Sequence, residues 1–111
     1  MNNLNSDNSQ LVKLGIFVPL THLEQIAVAL HSSGAGSSEY YDNVLSYSLV
    51  KGRWRPLAGA KPYNGEIGQI CEADEYKIEA RCFAANLAQV IAAIKAVHPY
   101  EEPVINVLTL L

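Results

Sequence analysis

The sequence predicts an α+β domain whose elements follow in the order β-α-β-β-α-β. Three observations predict it: short apolar or alternating stretches typical of strands, two stretches with apolar residues at helical spacing, and a repeat that relates the first βα unit to a second one. We expect these elements to form a four-stranded antiparallel sheet with two helices on one face.

The first strand and the first helix occupy the opening third of the chain. The run LVKLGIFVPL predicts a buried strand that Pro19 closes. Thr21 and Glu24 have the spacing of a capping box, in which each side chain satisfies a backbone N–H at the start of a helix. Apolar residues at helical spacing follow, and the GAG sequence at 34–36 ends this predicted helix. The apolar residues are Leu23, Ile26, Ala27 and Leu30.

The second strand and a long loop occupy the middle of the chain. VLSYSLV at 44–50 predicts the strand, with Leu45, Tyr47 and Leu49 on one face. KGRWRPLAGAKPYNGEIG at 51–68 is rich in Gly and Pro, and it predicts the loop.

A third strand, a second helix and a last strand complete the order. From about Cys71 to Cys82, apolar residues alternate with charged ones, which predicts a strand with one packed and one hydrated face. Residues 87–97 carry an apolar stripe that predicts the helix. VINVLTLL at 104–111 predicts the last strand. The helical stripe consists of Leu87, Val90, Ile91, Ile94 and Val97.

An internal repeat supports this order independently. VKLGIFVPLTHLEQIAVAL, which starts at Val12, aligns without gaps with YKIEARCFAANLAQVIAAI, which starts at Tyr76. At this offset of 64 residues Leu23 falls on Leu87, and the core positions Leu14, Ile26 and Leu30 fall on Ile78, Val90 and Ile94. Two copies of one βα unit are what a ferredoxin-like split-βαβ fold contains, so we predict that fold.

The length of the chain, 111 residues, predicts one domain, which we place at 11–111. The polar residues 1–10 predict a disordered N-terminal tail.

No apolar run is long enough to span a membrane. Cys71 and Cys82 face opposite sides of one predicted strand and cannot pair within it, which favours a reduced, cytoplasmic protein.

The charge pattern argues against a polyanionic partner. The formal net charge is −3, which gives no reason to expect binding to nucleic acid or to a membrane. The segment KGRWR sets three cations around Trp54, and such a cluster could stack on a nucleobase. In an acidic protein it is more typical of a solvated strand edge that discourages edge-to-edge pairing, so we predict no nucleic-acid partner.

The sheet face without helices has a mixed character. The third strand places Lys77, Glu79 and Arg81 on it, whereas the second strand places the apolar Val44 and Val50 there. The last strand adds either Ile105 and Val107 or Val104 and Leu108. Such a face is compatible with water or with an oligomer interface.

The segment HPYEEP has two interpretations. A metal site would use His98 with Glu101 or Glu102, since imidazole and carboxylate bind ions such as zinc and copper, but it needs further ligands from elsewhere. In a structural corner, Pro99 ends the helix, His98 suits the negative end of the helix dipole, and Pro103 takes the first position of the last strand. We favour the structural corner.

The run PYNGEIG also has two interpretations. Gly65 and Gly68 could let backbone amides line an anion-binding concavity. No Lys-Ser or Lys-Thr pair follows, so the run is not a P-loop, and a tight turn before the third strand is the favoured interpretation.

Several of these segments together resemble one protein family. HPYEEPVINVLTL, GRWRPLAGAKPYNGEIG, YKIEAR and VKLGIFVP resemble the small PII-like, CutA-like domain of the YqfO group of dinuclear-metal proteins, often labelled as GTP cyclohydrolase type-2-like. The resemblance runs from about Val12 to Leu110. In that family the domain is inserted between two metal-binding halves, which have no counterpart in this sequence, so their hydrolase chemistry is not implied.

The match to the family motif differs from position to position. The segment 98–103 matches, as do Pro62, Gly65 and Gly68, whereas Lys61 stands where the family usually has Asn. The resemblance implies a homo-oligomer, with a trimer favoured over a dimer. It also implies that ligands or partner proteins bind near the connection between the second and third strands.

Three functions follow as hypotheses. The favoured one is a non-enzymatic, oligomeric PII-like module that binds a small molecule or a partner protein, with Tyr63, Gly65, Gly68 and Tyr100 as candidate ligand-binding residues. The alternative is a CutA-like protein that binds a divalent metal ion. Its candidate ligands are His98, Glu101 and Glu102. An enzyme with an unrecognised intersubunit site is the least supported, and we assign no catalytic residue and no certain cofactor.

Overall fold

The computed structural model describes residues 9–111, and their elements follow the predicted order. The strands are β1 (Leu11–Pro19), β2 (Ser46–Trp54), β3 (Cys71–Phe83) and β4 (Ile105–Thr109), and the helices are α1 (Leu23–Ser33) and α2 (Leu87–Val97). A short 3-10 turn precedes each helix, at Leu20–His22 and Ala84–Asn86. Residues 1–8, which make up most of the predicted tail, lie outside the described residues.

The four strands form one antiparallel sheet in the order β2-β3-β1-β4, which confirms the predicted α+β fold. β1 is central and pairs with both β3 and β4. Its side chains on the helix side, from Val12 to Val18, are at most 5% exposed and form the core with Ile26 of α1 and Val90 of α2. A central strand covered by helices needs apolar residues on that face, which explains the apolar run of β1.

The bounds of the elements repeat at the predicted offset of 64 residues. The turn Leu20–His22 falls on Ala84–Asn86, and α1 falls on α2 at both ends. β1 and β3 pair so that Gly15 lies opposite Glu79, its own equivalent in the repeat. The two βα units are therefore related by an approximate two-fold axis that passes through this pair.

The end of α1 is as predicted, but its start is not. Gly34 takes the left-handed conformation with φ 103°, and its N–H caps carbonyl groups of the last turn. At the start, no side chain caps the helix, because Thr21 Oγ1 contacts His22 Nδ1 at 2.7 Å and the chain first makes a 3-10 turn. The predicted capping box with Glu24 is therefore wrong.

β2 and β4 differ at both ends from their predicted ranges, 44–50 and 104–111, since they span Ser46–Trp54 and Ile105–Thr109. β2 continues to Trp54, so the segment predicted as loop begins four residues later, because Lys51–Trp54 pairs with the start of β3. β4 begins at Ile105, so Pro103 precedes the strand and does not take its first position. Because proline has no N–H to donate to a sheet, it is tolerated both at the first position of a strand and just before the strand.

The register of the strands decides which side chains lie on the face that no helix covers, the open face. It comprises Lys13, Phe17, Lys77, Glu79 and Leu108, among others. Lys13 and Glu79 form an ion pair there, and Lys77 lies over the Phe17 ring at 6.0 Å. Leu108 remains 60% exposed. Among residues 9–111, no helix is long and apolar enough to cross a membrane.

Candidate functional site

The segment 98–103, the HPYEEP corner, begins with a buried histidine. The His98 side chain is 8% exposed; its Nε2 lies 2.7 Å from the Phe17 carbonyl oxygen, and its Nδ1 lies 3.1 Å from the Tyr100 N–H. Because Nδ1 accepts from a backbone donor, Nε2 must carry the proton that it donates to Phe17. Both ring nitrogens of the neutral imidazole are thus engaged within the chain.

The environment of His98 favours this neutral form. Burial lowers the pKa of His98 below its ordinary value of 6.5, and the hydrogen bond to Phe17 opposes that shift only in part. The expected interaction of a charged histidine with the dipole of α2 is therefore not present. His98 instead ties the end of α2 to β1.

The two glutamates of the corner are exposed. Glu101 Oε1 accepts a hydrogen bond from the Lys61 N–H at 3.0 Å, which fixes the corner to the loop after β2. Within residues 9–111, no group of three or more His, Cys, Asp or Glu side chains is arranged to hold a metal ion. As placed, His98, Glu101 and Glu102 do not fit a metal site, because the His98 nitrogens are already engaged.

Tyr100 lies at the centre of an aromatic cluster. Its ring centroid is 4.9 Å from that of His98, 5.9 Å from that of Tyr63 and 6.0 Å from that of Trp54. Its hydroxyl donates to Glu75 Oε2 at 2.7 Å. Burial, together with the adjacent Glu75 carboxylate, raises the pKa of Tyr100 well above its usual range. Tyr100 is therefore a neutral hydrogen-bond donor at neutral pH.

Glu75 is a buried carboxylate that the sequence pattern does not reveal. It is only 5% exposed, although it follows the same alternation in β3 as Lys77 and Glu79, which are partly exposed. The HPYEEP corner covers this end of the open face and thereby buries Glu75. A Cβ atom placed on Gly52 of β2 would lie 1.9 Å from Glu75 Oε1, so the glycine provides the space that the carboxylate occupies.

These groups line a cavity of about 780 Å³ between the end of β2, the loop after it and the HPYEEP corner. Of the predicted site residues, Tyr63, Tyr100, Glu101 and Glu102 line this cavity. His98, Gly65 and Gly68 do not. The cavity size is typical of small-molecule sites, which combine apolar walls with a few polar groups.

Gly65 and Gly68 shape the loop that carries Tyr63. Their φ angles are 108° and 80°, and the Gly68 N–H donates to the Pro56 carbonyl oxygen at 2.8 Å. The Trp54 Nε1–H donates to the Asn64 carbonyl oxygen at 3.0 Å, and Gly65 leaves room for this indole. The glycines therefore serve as a turn that sets Trp54 and Tyr63 beside the cavity.

The cations of KGRWR do not act as one patch. Lys51 forms an ion pair with Asp74 at 2.7 Å, and this contact raises the pKa of Lys51. Arg53 and Arg55 are exposed and line the cavity together with Trp54. The segment predicted as a solvated edge thus provides both cations and an aromatic ring to the site.

Comparison with known proteins agrees with this fold. No protein-family model matches the chain. A "GTP cyclohydrolase 1 type 2 homolog" of Halalkalibacterium halodurans is 38% identical over 93 residues, which cover 84% of this chain and 25% of that protein. The chain therefore spans about a quarter of the length of the curated relatives it matches.

Solved structures with a similar fold include proteins of the same kind as these relatives and others of about the length of this chain. A Bacillus cereus protein related to NIF3 matches with a TM-score of 0.80 and 32% identity, over 92% of this chain and 26% of that one. CutA from Archaeoglobus fulgidus matches with a TM-score of 0.65 and 20% identity, over 90% and 83%. GlnK of Bacillus subtilis matches with a TM-score of 0.63 and 22% identity, over 92% and 86%. The predicted PII-like, CutA-like fold and the resemblance to one segment of the YqfO group are confirmed.

Proposed function

We propose that this chain, which shares the fold of PII-like and CutA-like proteins, is a non-enzymatic module that assembles with copies of itself and binds a small molecule. The observation that carries the proposal is the cavity of about 780 Å³ beside the HPYEEP corner. Its wall combines aromatic rings, two guanidinium groups and a buried carboxylate. Such convergence of polar groups in an otherwise apolar concavity is typical of ligand sites.

The open face supports self-association. The exposed Leu108 lies on it beside charged residues, and an apolar side chain of this size at a mixed surface suits an interface between copies. The cavity lies at one end of the same face, so a neighbouring copy would border it. We favour a trimer, which the resemblance to PII-like and CutA-like proteins implies, over a dimer. We also propose a cytoplasmic location, which the free thiols of Cys71 and Cys82 support.

A role in binding fits the titratable groups of the site better than a role in catalysis. A general base works best when its pKa lies near the operating pH and a lone pair is available. His98 is neutral but has both nitrogens engaged, and the pKa of Tyr100 is raised far above neutrality. These two groups are therefore suited to hold the corner in shape.

The fluorescence of Trp54 tests ligand binding directly, because this residue lines the cavity and the chain has one tryptophan. Small anions, organic cations and neutral aromatic compounds are each titrated while Trp54 emission is recorded. We expect one class to shift the emission saturably and Tyr63→Ala to weaken that binding. Tyr40→Ala is the matched control, since Tyr40 is 83% exposed and does not line the cavity. Equal loss in both variants, or no shift with any class, contradicts the proposal.

The metal-binding alternative has its own test. Calorimetric titration of zinc, copper and calcium into the wild type and into folded His98→Ala measures binding and its dependence on the imidazole. Binding in the wild type that is lost in the variant would establish the alternative. We expect no such difference, because a metal ion at Nδ1 would first have to displace the Tyr100 N–H, and one at Nε2 would have to replace the proton donated to Phe17.

A further inference from the structure

Glu75 has an unused oxygen inside the cavity wall. Oε2 accepts the hydrogen bond from Tyr100, whereas Oε1 accepts none from residues 9–111. In the same part of the chain, ion pairs join Lys13 to Glu79 and Lys51 to Asp74, and none involves Glu75. A carboxylate that is 95% buried thus has one neutral donor and no cation.

Burial of the Glu75 carboxylate with a single donor costs free energy unless another group donates to its second oxygen. A buried carboxylate without a partner loses its hydration, and proteins therefore pair such groups with donors or cations. The chain also makes room for the charge, because any side chain at Gly52 would collide with Glu75 Oε1. Glu75 and Gly52, against which this oxygen lies, both line the cavity, so a ligand in the cavity can supply the missing donor.

The rest of the wall suits a cation. Trp54, Tyr63 and Tyr100 line the cavity, and the faces of aromatic rings attract positive charge. Glu101 and Glu102 are on the wall as well, so residues with three carboxylates and two guanidinium groups line the cavity. Those two, Arg53 and Arg55, are exposed and are not ion-paired to Glu75.

We propose that the cavity recognises an organic cation that bears N–H donors on a planar or apolar body, such as an amidinium, a guanidinium or a primary ammonium. Its N–H group donates to Glu75 Oε1, and its body lies against Trp54, Tyr63 and Tyr100. This inference rests on the proposed ligand-binding function and names the chemical class of the ligand.

Benzamidine is the probe that tests this inference, with benzamide as its uncharged analogue and benzoate as its anionic one. Calorimetry measures affinity, and Trp54 emission reports occupancy of the cavity. We expect benzamidine to bind at least about tenfold more tightly than benzamide, and Glu75→Gln to weaken benzamidine binding by at least about tenfold, because the variant removes the buried charge but keeps its shape. Equal affinity for benzamidine and benzamide overturns the inference, as does undiminished benzamidine binding by Glu75→Gln.

Further variants separate this site from its surroundings. Glu101→Gln removes an exposed carboxylate of the same wall, and we expect less than about a threefold loss, since exposed charge pairs are weak. Arg53→Gln should raise benzamidine affinity, because it removes a positive charge from the same wall. If Glu75→Gln does not fold, Gly52→Ala replaces it. The added methyl group must displace the Glu75 carboxylate, so we expect the same tenfold loss of benzamidine affinity. A strong loss in Glu101→Gln with none in Gly52→Ala places the cation elsewhere and overturns the assignment to Glu75.

The same experiment distinguishes failure of the inference from failure of the proposed function. Saturable binding of benzoate that Arg53→Gln abolishes means that the cavity binds anions, so the ligand-binding function stands and the cationic class is wrong. A cationic side chain of a neighbouring copy could also pair with Glu75. Light scattering of Glu75→Gln tests this, because it measures the oligomeric mass of the variant. An altered oligomeric mass in that variant also overturns the inference, because the cation would then belong to another copy of the chain.

Discussion

At the scale of single residues, the HPYEEP corner is held by contacts that differ in kind from those of the apolar core. Tyr100 donates to the buried Glu75, His98 bridges Phe17 and the Tyr100 N–H, and Glu101 accepts from Lys61. The bonds of Tyr100 and His98 are part-buried, whereas the bond of Glu101 is exposed. Because a hydrogen bond is stronger away from water, loss of a bond of Tyr100 or His98 should cost more than loss of the exposed one.

We predict that Tyr100→Phe lowers the free energy of unfolding by about 1 to 3 kcal/mol, because it leaves the buried Glu75 without its donor. In a Glu75→Gln background the same change should cost less, since a buried neutral amide that loses its partner is less costly than a buried carboxylate that loses its donor. Urea denaturation of the wild type, both single variants and the double variant gives the coupling energy. A coupling near zero would contradict the role assigned to this hydrogen bond.

His98 predicts a pH dependence of stability whose sign follows from its burial. The folded protein keeps the pKa of His98 below 6.5, so at mildly acidic pH the unfolded chain binds a proton that the folded chain does not. Stability should therefore fall as the pH falls below about 6.5, down to the folded pKa, and it should be fully present above that range.

The matched variant for this dependence is His98→Gln, whose amide can still donate to Phe17 but does not titrate. His22 and His31 remain in both proteins, so the difference between the urea midpoints of the two proteins at neutral and acidic pH reports His98 together with its coupling to neighbouring charges. His22 and Glu75 are the charged neighbours that act on His98, in opposite directions. A pH dependence unchanged in His98→Gln would contradict the prediction.

At the scale of elements, the connection from α1 to β2 depends on close backbone approach. The Gly36 N–H donates to the Arg81 carbonyl oxygen at 2.8 Å, and the Val44 N–H donates to the Gly36 carbonyl oxygen at 2.9 Å. Gly36 has φ 74°, and a Cβ there would lie 2.5 Å from the Val44 carbonyl oxygen. Both conformation and space thus require glycine at this position.

We predict that Gly36→Ala destabilises the protein by at least about 1 kcal/mol more than Gly59→Ala. Gly59 has a similar φ of 93° but nothing within 4 Å of the added atom, so it bears only the conformational cost, about 1 kcal/mol. Urea midpoints of the two variants measure the difference. Equal midpoints would mean that the chain near Val44 moves away without cost.

At the scale of the whole molecule, the sheet has one face covered by helices and one face without them. We predict that Leu108→Asp reduces the mass in solution toward the monomer value of 12.1 kDa, because it places a charge in the proposed interface on the open face. Val28→Asp is the matched control, since Val28 is 64% exposed on α1 and lies away from that face. Sedimentation equilibrium measures both masses.

A wild type that is already monomeric at micromolar concentration contradicts the proposed assembly. So does a Leu108→Asp variant that keeps the wild-type mass. Loss of mass in both variants points to partial unfolding, and circular dichroism distinguishes that outcome from dissociation.

The sequence by itself determined the element order, the α+β class and the repeat, because these depend on local periodicity and on turn residues such as Gly34. It also predicted two sets of candidate residues, Tyr63, Gly65, Gly68 and Tyr100 for a ligand and His98, Glu101 and Glu102 for a metal. The structure places four of these seven residues in the wall of one cavity. The sequence placed the end of β2 too early, because strand pairing overrides the local preference of a segment that contains Gly52.

Only the tertiary structure decided what the HPYEEP corner does. The engagement of both His98 nitrogens, the burial of Glu75 and the cavity beside it arise from contacts between residues far apart in sequence. In the sequence, Glu75 follows the alternation of a hydrated strand face, and nothing local indicates that a later segment covers it. Burial and hydrogen-bond partnership are properties of packing, so the pattern along one strand does not determine them.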